Sequence, residues 1–186
     1  MLIVTKMKQE IETTVEIPDG IQVTGKNDLT VKGPKGELKR TFNFPGVQVV
    51  AGSKEIVISA KKATKREKKI IYTYAAHLRN MMKGVQEPWV YKLKVCASHF
   101  PMNVSMSGKD FIVKNFLGEK VPRKFTIKEG VTVKVDGKDV IVESIDKELA
   151  GNTASEIELI TTIRGRDLRV FQDGIYITEK AGKPIK

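Results

Sequence analysis

Gly20-Ile21-Gln22-Val23-Thr24-Gly25-Lys26-Asn27 has the glycine and lysine spacing of a phosphate-cradling loop but lacks the rest of the motif. Asn27 stands where a Ser or Thr hydroxyl would hold magnesium. The residues between the glycines read as strand, and a strand rather than a helix follows. Nucleotide hydrolysis is therefore not expected. Neither histidine, His77 or His99, has a partner at metal-ligand spacing, and a single cysteine builds no zinc constellation. Ser, His and Asp occur without a nucleophile elbow. His77 falls in a helical stretch and Cys96 in an apolar strand, so both are read as packing residues. The expectation is a chain that is not an enzyme, with no cofactor, no metal and no small-molecule substrate.

Binding chemistry is better represented. Asn115-Phe116-Leu117-Gly118 places a phenylalanine and a leucine at a hairpin tip, with Lys114, Lys120, Arg123 and Lys124 around it. An aromatic tip among cations suits an RNA surface, the ring stacking on or wedging beside bases while lysines hold phosphates. That reading is preferred to a tip tucked into the domain's own core. Near the C-terminus, Arg164, Arg166 and Arg169 lie close to Gly165, Phe171 and Tyr176. Arginines so placed suit planar contacts with phosphate and base; the alternative is a flexible basic terminus. A third cluster, Lys61, Lys62, Lys65, Arg66, Lys68 and Lys69, opens a helix, where cations oppose the helix dipole. It suits phosphate contact or a solvated face, and the residues do not choose between them.

Net charge agrees with a polyanionic partner: 33 Lys and Arg against 22 Asp and Glu give +11 over 186 residues. Residues 109–128 hold six bases and two acids, 129–163 three and eight, and 164–186 six and three. Two basic segments thus flank an acidic one, as on a surface with a binding side and a solvent side. By halves, residues 1–86 carry +8 and 87–186 only +3. No stretch reaches the roughly 18 apolar residues of a membrane span. Met1–Lys6 lacks a signal-peptide core, and one unpaired cysteine fits a reducing interior. Asn103-Val104-Ser105 is then a chance match to a glycosylation acceptor.

The elements that must carry these residues are written twice. Asp28–Lys32 returns as Asp110–Lys114, Gly36-Glu37 as Gly118-Glu119, Gly46–Val49 as Gly130–Val133, and Lys54–Ile58 as Lys138–Val142. Alternation predicts strands at 11–17, 21–24, 28–32, 37–42, 47–50 and 55–59, then at 90–96, 103–106, 110–115, 122–127, 131–135 and 139–144. Such close spacing requires antiparallel pairing. Thr64-Lys65-Arg66-Glu67 reads as a capping box opening a helix over 64–83 that Gly84 ends. A second helix starts near Asp146, or later at Thr153–Glu156, with Leu149, Ile157, Ile160 and Ile163 as its apolar positions. The expected fold is α+β: two tandem copies of a small antiparallel sheet with one helix packed on it. They span 8–84 and 88–178, with a tail at 179–186.

Five stretches in order resemble one family. They are Val31–Gly36, Asn80–Val85, Ser98–Val104, Asn115–Lys120 and Asp173–Ile177. The chain resembles the large-subunit ribosomal protein L-six family in its archaeal and eukaryotic form, over about residues 10 to 180. The resemblance implies two copies of one α+β fold and a cytoplasmic structural protein of the large ribosomal subunit, bound to its RNA. It further implies a place near the sarcin-ricin loop, with neighbouring ribosomal proteins at the stalk base and the second copy as the main RNA-binding domain. The RNA-facing candidates are then His99, Lys114, Asn115, Phe116, Leu117, Gly118, Lys120, Arg123 and Lys124. Arg164, Arg166, Arg169, Phe171, Gly174 and Tyr176 complete the set. Bacterial members carry a lysine- and glycine-rich motif where Val170–Tyr176 stands here, so individual contacts transfer poorly from them. A free RNA-binding regulator using the same surface is the alternative, and an enzyme acting on polyanions is the remotest reading.

Overall fold

The computed structural model describes residues 9–52 and 54–185. The expected start of the first copy at residue 8, the turn position Ser53 and the end of the tail at Lys186 lie outside the described residues. The chain divides between Glu87 and Pro88 into two compact units.

The first unit runs β1 (Gln9–Glu16), β2 (Gln22–Thr24), β3 (Asp28–Gly33), β4 (Gly36–Thr41), β5 (Gln48–Ala51), β6 (Glu55–Ala63) and α1 (Lys65–Gln86). Its strands form two antiparallel sheets, β1-β6-β5 and β2-β3-β4. Alternation buries Leu29 and Val31 on β3 and Ile56 and Ile58 on β6. Ile71, Ala75, Leu78, Met82 and Val85 recur at helical spacing and form the buried face of α1. Each large apolar side chain so buried contributes about 1.5–3 kcal/mol. Thr64 closes the capping box with Glu67 as its sequence predicts. Gly84 does not end the helix: it is buried, and α1 continues to Gln86. Termination comes from Pro88, which disfavours helical backbone at Glu87; Glu87 is extended at φ −132.

The second unit repeats the plan with β7 (Trp89–Cys96), β8 (Asn103–Ser107), β9 (Asp110–Lys114), a 3-10 turn (Phe116–Gly118), β10 (Arg123–Thr126), β11 (Val131–Asp136), β12 (Asp139–Ser144) and α2 (Lys147–Ile160). Here β13 (Gly174–Lys180) and β14 (Lys183–Pro184) are added. The sheets are β8-β9-β10 and β11-β12-β7-β13-β14. Gly46 and Gly130, matched by the repeat, share left-handed backbone at φ +87 and +85, open to glycine at little cost.

The α+β class and the tandem repeat hold, with differences in detail. Each unit has two sheets rather than one. The stretch after α2, where no strand is expected, contains β13, which pairs with β7 inside the larger sheet, and the β13–β14 hairpin occupies part of the expected tail at 179–186. Cys96 is exposed rather than packed. Tyr91, Leu93 and Val95 take the inward phase of β7, so alternation sends Cys96 outward with Lys92 and Lys94. Asp146 caps α2, its side chain accepting from the Glu148 amide at 2.8 Å, as the repeat places it. Gly151 does not break this helix, because it lets the helix approach β7: a Cβ there would lie 3.2 Å from the Tyr91 hydroxyl. Of the expected apolar positions only Ile157 is fully buried; Ala150, Thr153 and Ala154 complete the buried face.

Candidate nucleic-acid interface

β7 and β13 lie side by side in the larger sheet, with Gly174 opposite Cys96. This pairing brings Asp173, just before β13, against the loop that follows β7. Asp173 is 3% exposed. Its carboxylate accepts from the Ser98 amide, from the Ser98 hydroxyl at 3.2 Å, from the His99 amide at 3.1 Å, and pairs with His99 Nδ1 at 2.5 Å. Burial pushes this carboxyl up, but the bonds from the His99 ring, the two amides and the hydroxyl outweigh it and hold the pKa at about 2. An ionised carboxylate only accepts, so Nδ1 of His99 donates and the ring is fixed in orientation.

On the fixed His99 ring rests Phe171, with centroids 4.7 Å apart, and the Arg166 guanidinium lies 4.9 Å from the Phe171 centroid. The loop supplying both is braced from within. The amides of Val170 and Phe171 donate to the Asp167 carbonyl, and the Arg169 amide donates to the Asp167 carboxylate at 2.9 Å. Arg169 also pairs with Asp167 through Nη2 at 2.9 Å, which holds the Asp167 carboxyl below its ordinary range. The Tyr176 hydroxyl donates to the Gln172 carbonyl at 3.2 Å. A Cβ on Gly174 would lie 3.2 Å from the Tyr176 ring, so glycine permits that ring's position. Cys96, Ala97, Ser98, Gln172 and Tyr176 line a shallow cavity of about 580 Å³. The stretch Arg164–Tyr176 is thus a braced loop entering a strand rather than a loose terminus.

The hairpin tip departs from expectation. Phe116 is 1% exposed and belongs to the core of the second unit, and Leu117 packs against the same core. Left-handed backbone at Asn115 (φ 59), Leu117 (φ 50) and Gly118 (φ +81) curls the chain into a 3-10 turn that carries both apolar side chains inward. Phe116 therefore offers no face for base stacking. Arg123 is likewise engaged inside the fold. It donates to Glu119 through Nε (2.8 Å) and Nη2 (2.6 Å), and through Nη1 to the carbonyls of Ile160 (2.6 Å) and Thr162 (3.2 Å). Its guanidinium also covers the Phe116 ring at 4.3 Å. Arg123 thus closes the C-terminal end of α2 and is a positioning residue. The first unit closes its own turn on α1 by another route, the Lys35 amide donating to the Val85 carbonyl at 3.0 Å.

The turn that carries Asn115 and Gly118 is tied to the loop that carries His99, Asn115 donating to the Pro101 carbonyl at 2.9 Å. A hydrogen bond from Arg123 lowers the Glu119 pKa against the opposing effect of burial, and the charges of Arg123 and Arg166 add to it. Arg166 therefore lies near the turn as well. Lys114, Lys120, Lys124 and Arg164 are exposed, with no ion-pair partner among the described residues. Lys114 and Lys124 take the outward phase of β9 and β10, Lys124 standing opposite Ile112, two residues before Lys114. Phe100, 44% exposed, lies beside Gly118, where an added Cβ would be 3.6 Å from its ring. Phe100, Ser98 and Asp173 are the site residues that reading by type alone missed. No local pattern joins Asp173 to His99, 74 positions away; only the pairing of β7 with β13 does.

Among the described residues no group of three His, Cys, Asp or Glu side chains could hold a metal ion, and no helix is long and apolar enough to cross a membrane. The near-match to a phosphate loop contains β2 and is followed by β3, and the Asn27 side chain accepts from the Val49 amide at 3.2 Å, a structural bond.

What this arrangement offers is a braced stack of an exposed guanidinium and aromatic rings on a packed α+β unit that also exposes several lysines. The family model for ribosomal protein L6 matches the chain twice, over residues 17–88 and 100–174, once in each unit. The chain is similar to the large ribosomal subunit protein uL6 of Methanococcus vannielii, 44% identical over 176 residues that cover 94% of this chain and 97% of that protein. It is similar to the same protein of Methanosarcina mazei at 44% identity over 176 residues, 94% of this chain and 100% of that one. With a doubled α+β fold, a doubled family match and these relatives, the chain belongs to the ribosomal protein L6 family.

Proposed function

We propose that this chain is a structural, non-catalytic constituent of the large ribosomal subunit. It binds large-subunit rRNA near the sarcin-ricin loop, through the end of its second unit that carries His99, Phe171 and Arg166. Family membership supports the coarser part, a large-subunit protein working in translation with rRNA and ribosomal proteins as partners. The observation that carries the surface is the Arg166–Phe171–His99 stack anchored on buried Asp173. Rings and a guanidinium already held in place lose little conformational entropy on meeting a base or phosphate. Asn115, Gly118 and Gly174 shape this surface. Lys114, Lys120, Lys124, Arg164 and Arg169 supply phosphate contacts, and Phe100 and Tyr176 add aromatic edges. Neighbouring ribosomal proteins at the stalk base complete its surroundings.

The test is binding to an rRNA fragment containing the sarcin-ricin loop. Changing Arg164, Arg166 and Arg169 together to alanine weakens binding and flattens the plot of log K against log salt by about two, at roughly 0.7 per phosphate contact. Unchanged affinity and slope would remove this surface from the RNA interface.

A further inference from the structure

The exposed face of α1 carries a charge pattern that its duplicate lacks. α1 holds Lys65, Arg66, Lys68, Lys69, Arg79 and Lys83 against one acid, Glu67, whereas α2 holds Lys147 against Glu148, Glu156 and Glu158. α1 packs on β1 and β6 and α2 on the equivalent β7 and β12, with the added β13 as a further partner of α2. The cations of α1 named above are exposed, so its packing does not demand them. With 3.6 residues per turn, Lys65, Lys69, Tyr72, Ala76 and Arg79 fall on one stripe, turned about 120° from Ile71, Leu78 and Met82. All five stripe residues are exposed, and Tyr72 is 54% exposed. From Lys65 to Arg79 the stripe runs about 21 Å at 1.5 Å per residue.

Lys68 flanks the stripe, and Lys61 and Lys62 join it from the end of β6. There a register shift opposite Gln9 and Ile11 breaks the alternation, so that both lysines are exposed. Glu67 makes no ion pair with these lysines, because its carboxylate turns back to accept from the Thr64 amide at 2.7 Å and from the Thr64 hydroxyl. Among the described residues Lys61, Lys62, Lys65, Lys68 and Lys69 have no ion-pair partner. Cations in a first helical turn cost the fold a few tenths of a kcal/mol each. The fold gains nothing from this row, and an outside anion would.

We propose that this stripe is a second RNA-binding face, which takes the sugar–phosphate backbone of an rRNA stretch other than the one held by the second unit. The inference rests on the reading that the partner is rRNA and adds a second point of attachment. RNA is favoured over an acidic protein because lysine is depleted at the core of protein interfaces, and the stripe has one exposed aromatic rather than an apolar patch. Two linked contacts raise overall affinity well beyond either alone.

The experiment uses the full chain on intact large-subunit rRNA, with hydroxyl-radical footprinting and affinity measured against salt. The wild-type chain protects two RNA segments. Lys65→Ala, Lys68→Ala and Lys69→Ala together abolish one footprint and lower the salt slope by about two. The triple arginine variant of the second unit abolishes the other footprint, and lysine-to-arginine changes at 65, 68 and 69 keep both. If the lysine variant keeps both footprints and its slope, the inference fails while the rRNA reading stands. If the wild-type chain gives no footprint, both fail. Crosslinks from Lys65–Lys69 to an acidic protein rather than to RNA in assembled subunits would also overturn the inference.

Discussion

Replacing Asp173 by asparagine tests whether the stack of His99, Phe171 and Arg166 is built on a buried ion. Its carboxylate accepts four hydrogen bonds, three of them from backbone and ring donors of the loop at 98–99. A fall in pKa from 3.8 to about 2 corresponds to about 2 kcal/mol of preference for the ionised form in the folded state. His99, the donor with the largest effect, is 34% exposed, so solvent screening reduces the figure to about 1–2 kcal/mol. Because the folded pKa is depressed, this stabilisation is fully present above the unfolded value near 4. It is lost as pH falls through 4 toward 2. The chain's single tryptophan, Trp89, is buried in the second unit, so its fluorescence during urea titration follows that unit. Asp173→Asn should lower the unfolding free energy by about 1–2 kcal/mol at pH 7, and the gap from wild type should close by about pH 2. Equal unfolding midpoints at pH 7, or a gap that persists at pH 2, would refute the role given to Asp173.

Arg123→Ala should destabilise the second unit by about 2 kcal/mol, since Glu119 and two α2 carbonyls lose their donor; Arg123→Lys should not restore it, lacking the planar fork. The same fluorescence titration reads both. Phe116→Ala should cost about 3–4 kcal/mol as a cavity in the core, whereas a base-stacking tip would lose RNA affinity with little change in stability. In the first unit, a Cβ on Gly33 would sit 2.7 Å from Val85 Cγ2 and 3.0 Å from the Val85 carbonyl. Gly33→Ala should therefore speed amide exchange at the C-terminal end of α1, equivalent to a loss of about 1–3 kcal/mol.

Strand alternation, the capping box at Thr64 and the repeat made most elements legible, because each depends on residues close in sequence. The repeat also limited the reading. β13 has no counterpart in the first unit, so no strand is expected there, although Ile175 and Ile177 alternate with Tyr176 and Thr178. Cys96 was legible in principle, since it shares the phase of Lys92 and Lys94 on β7. Phe116 was not, because leucine in left-handed backbone at Leu117 is uncommon and only the finished turn shows the ring pointing inward. Arg123 looked like a free cation for a similar reason. Its acceptors at Ile160 and Thr162 lie 37 and 39 residues on, brought near by packing of α2. In the candidate site, cation and ring types were readable but their anchor was not. Burial of Asp173 depends on β7 and β13 becoming neighbours.

The proposal that the end of the second unit around Arg166, Phe171 and His99 faces rRNA is open to direct test. Crosslink mapping from this loop, in large subunits assembled with the full chain, tests it most directly. The account predicts that residues 98–100 and 164–171 crosslink to the sarcin-ricin region and that Asp173→Asn, by loosening His99, weakens those crosslinks. Crosslinks from this loop to protein alone, or to RNA remote from the sarcin-ricin loop, would contradict it.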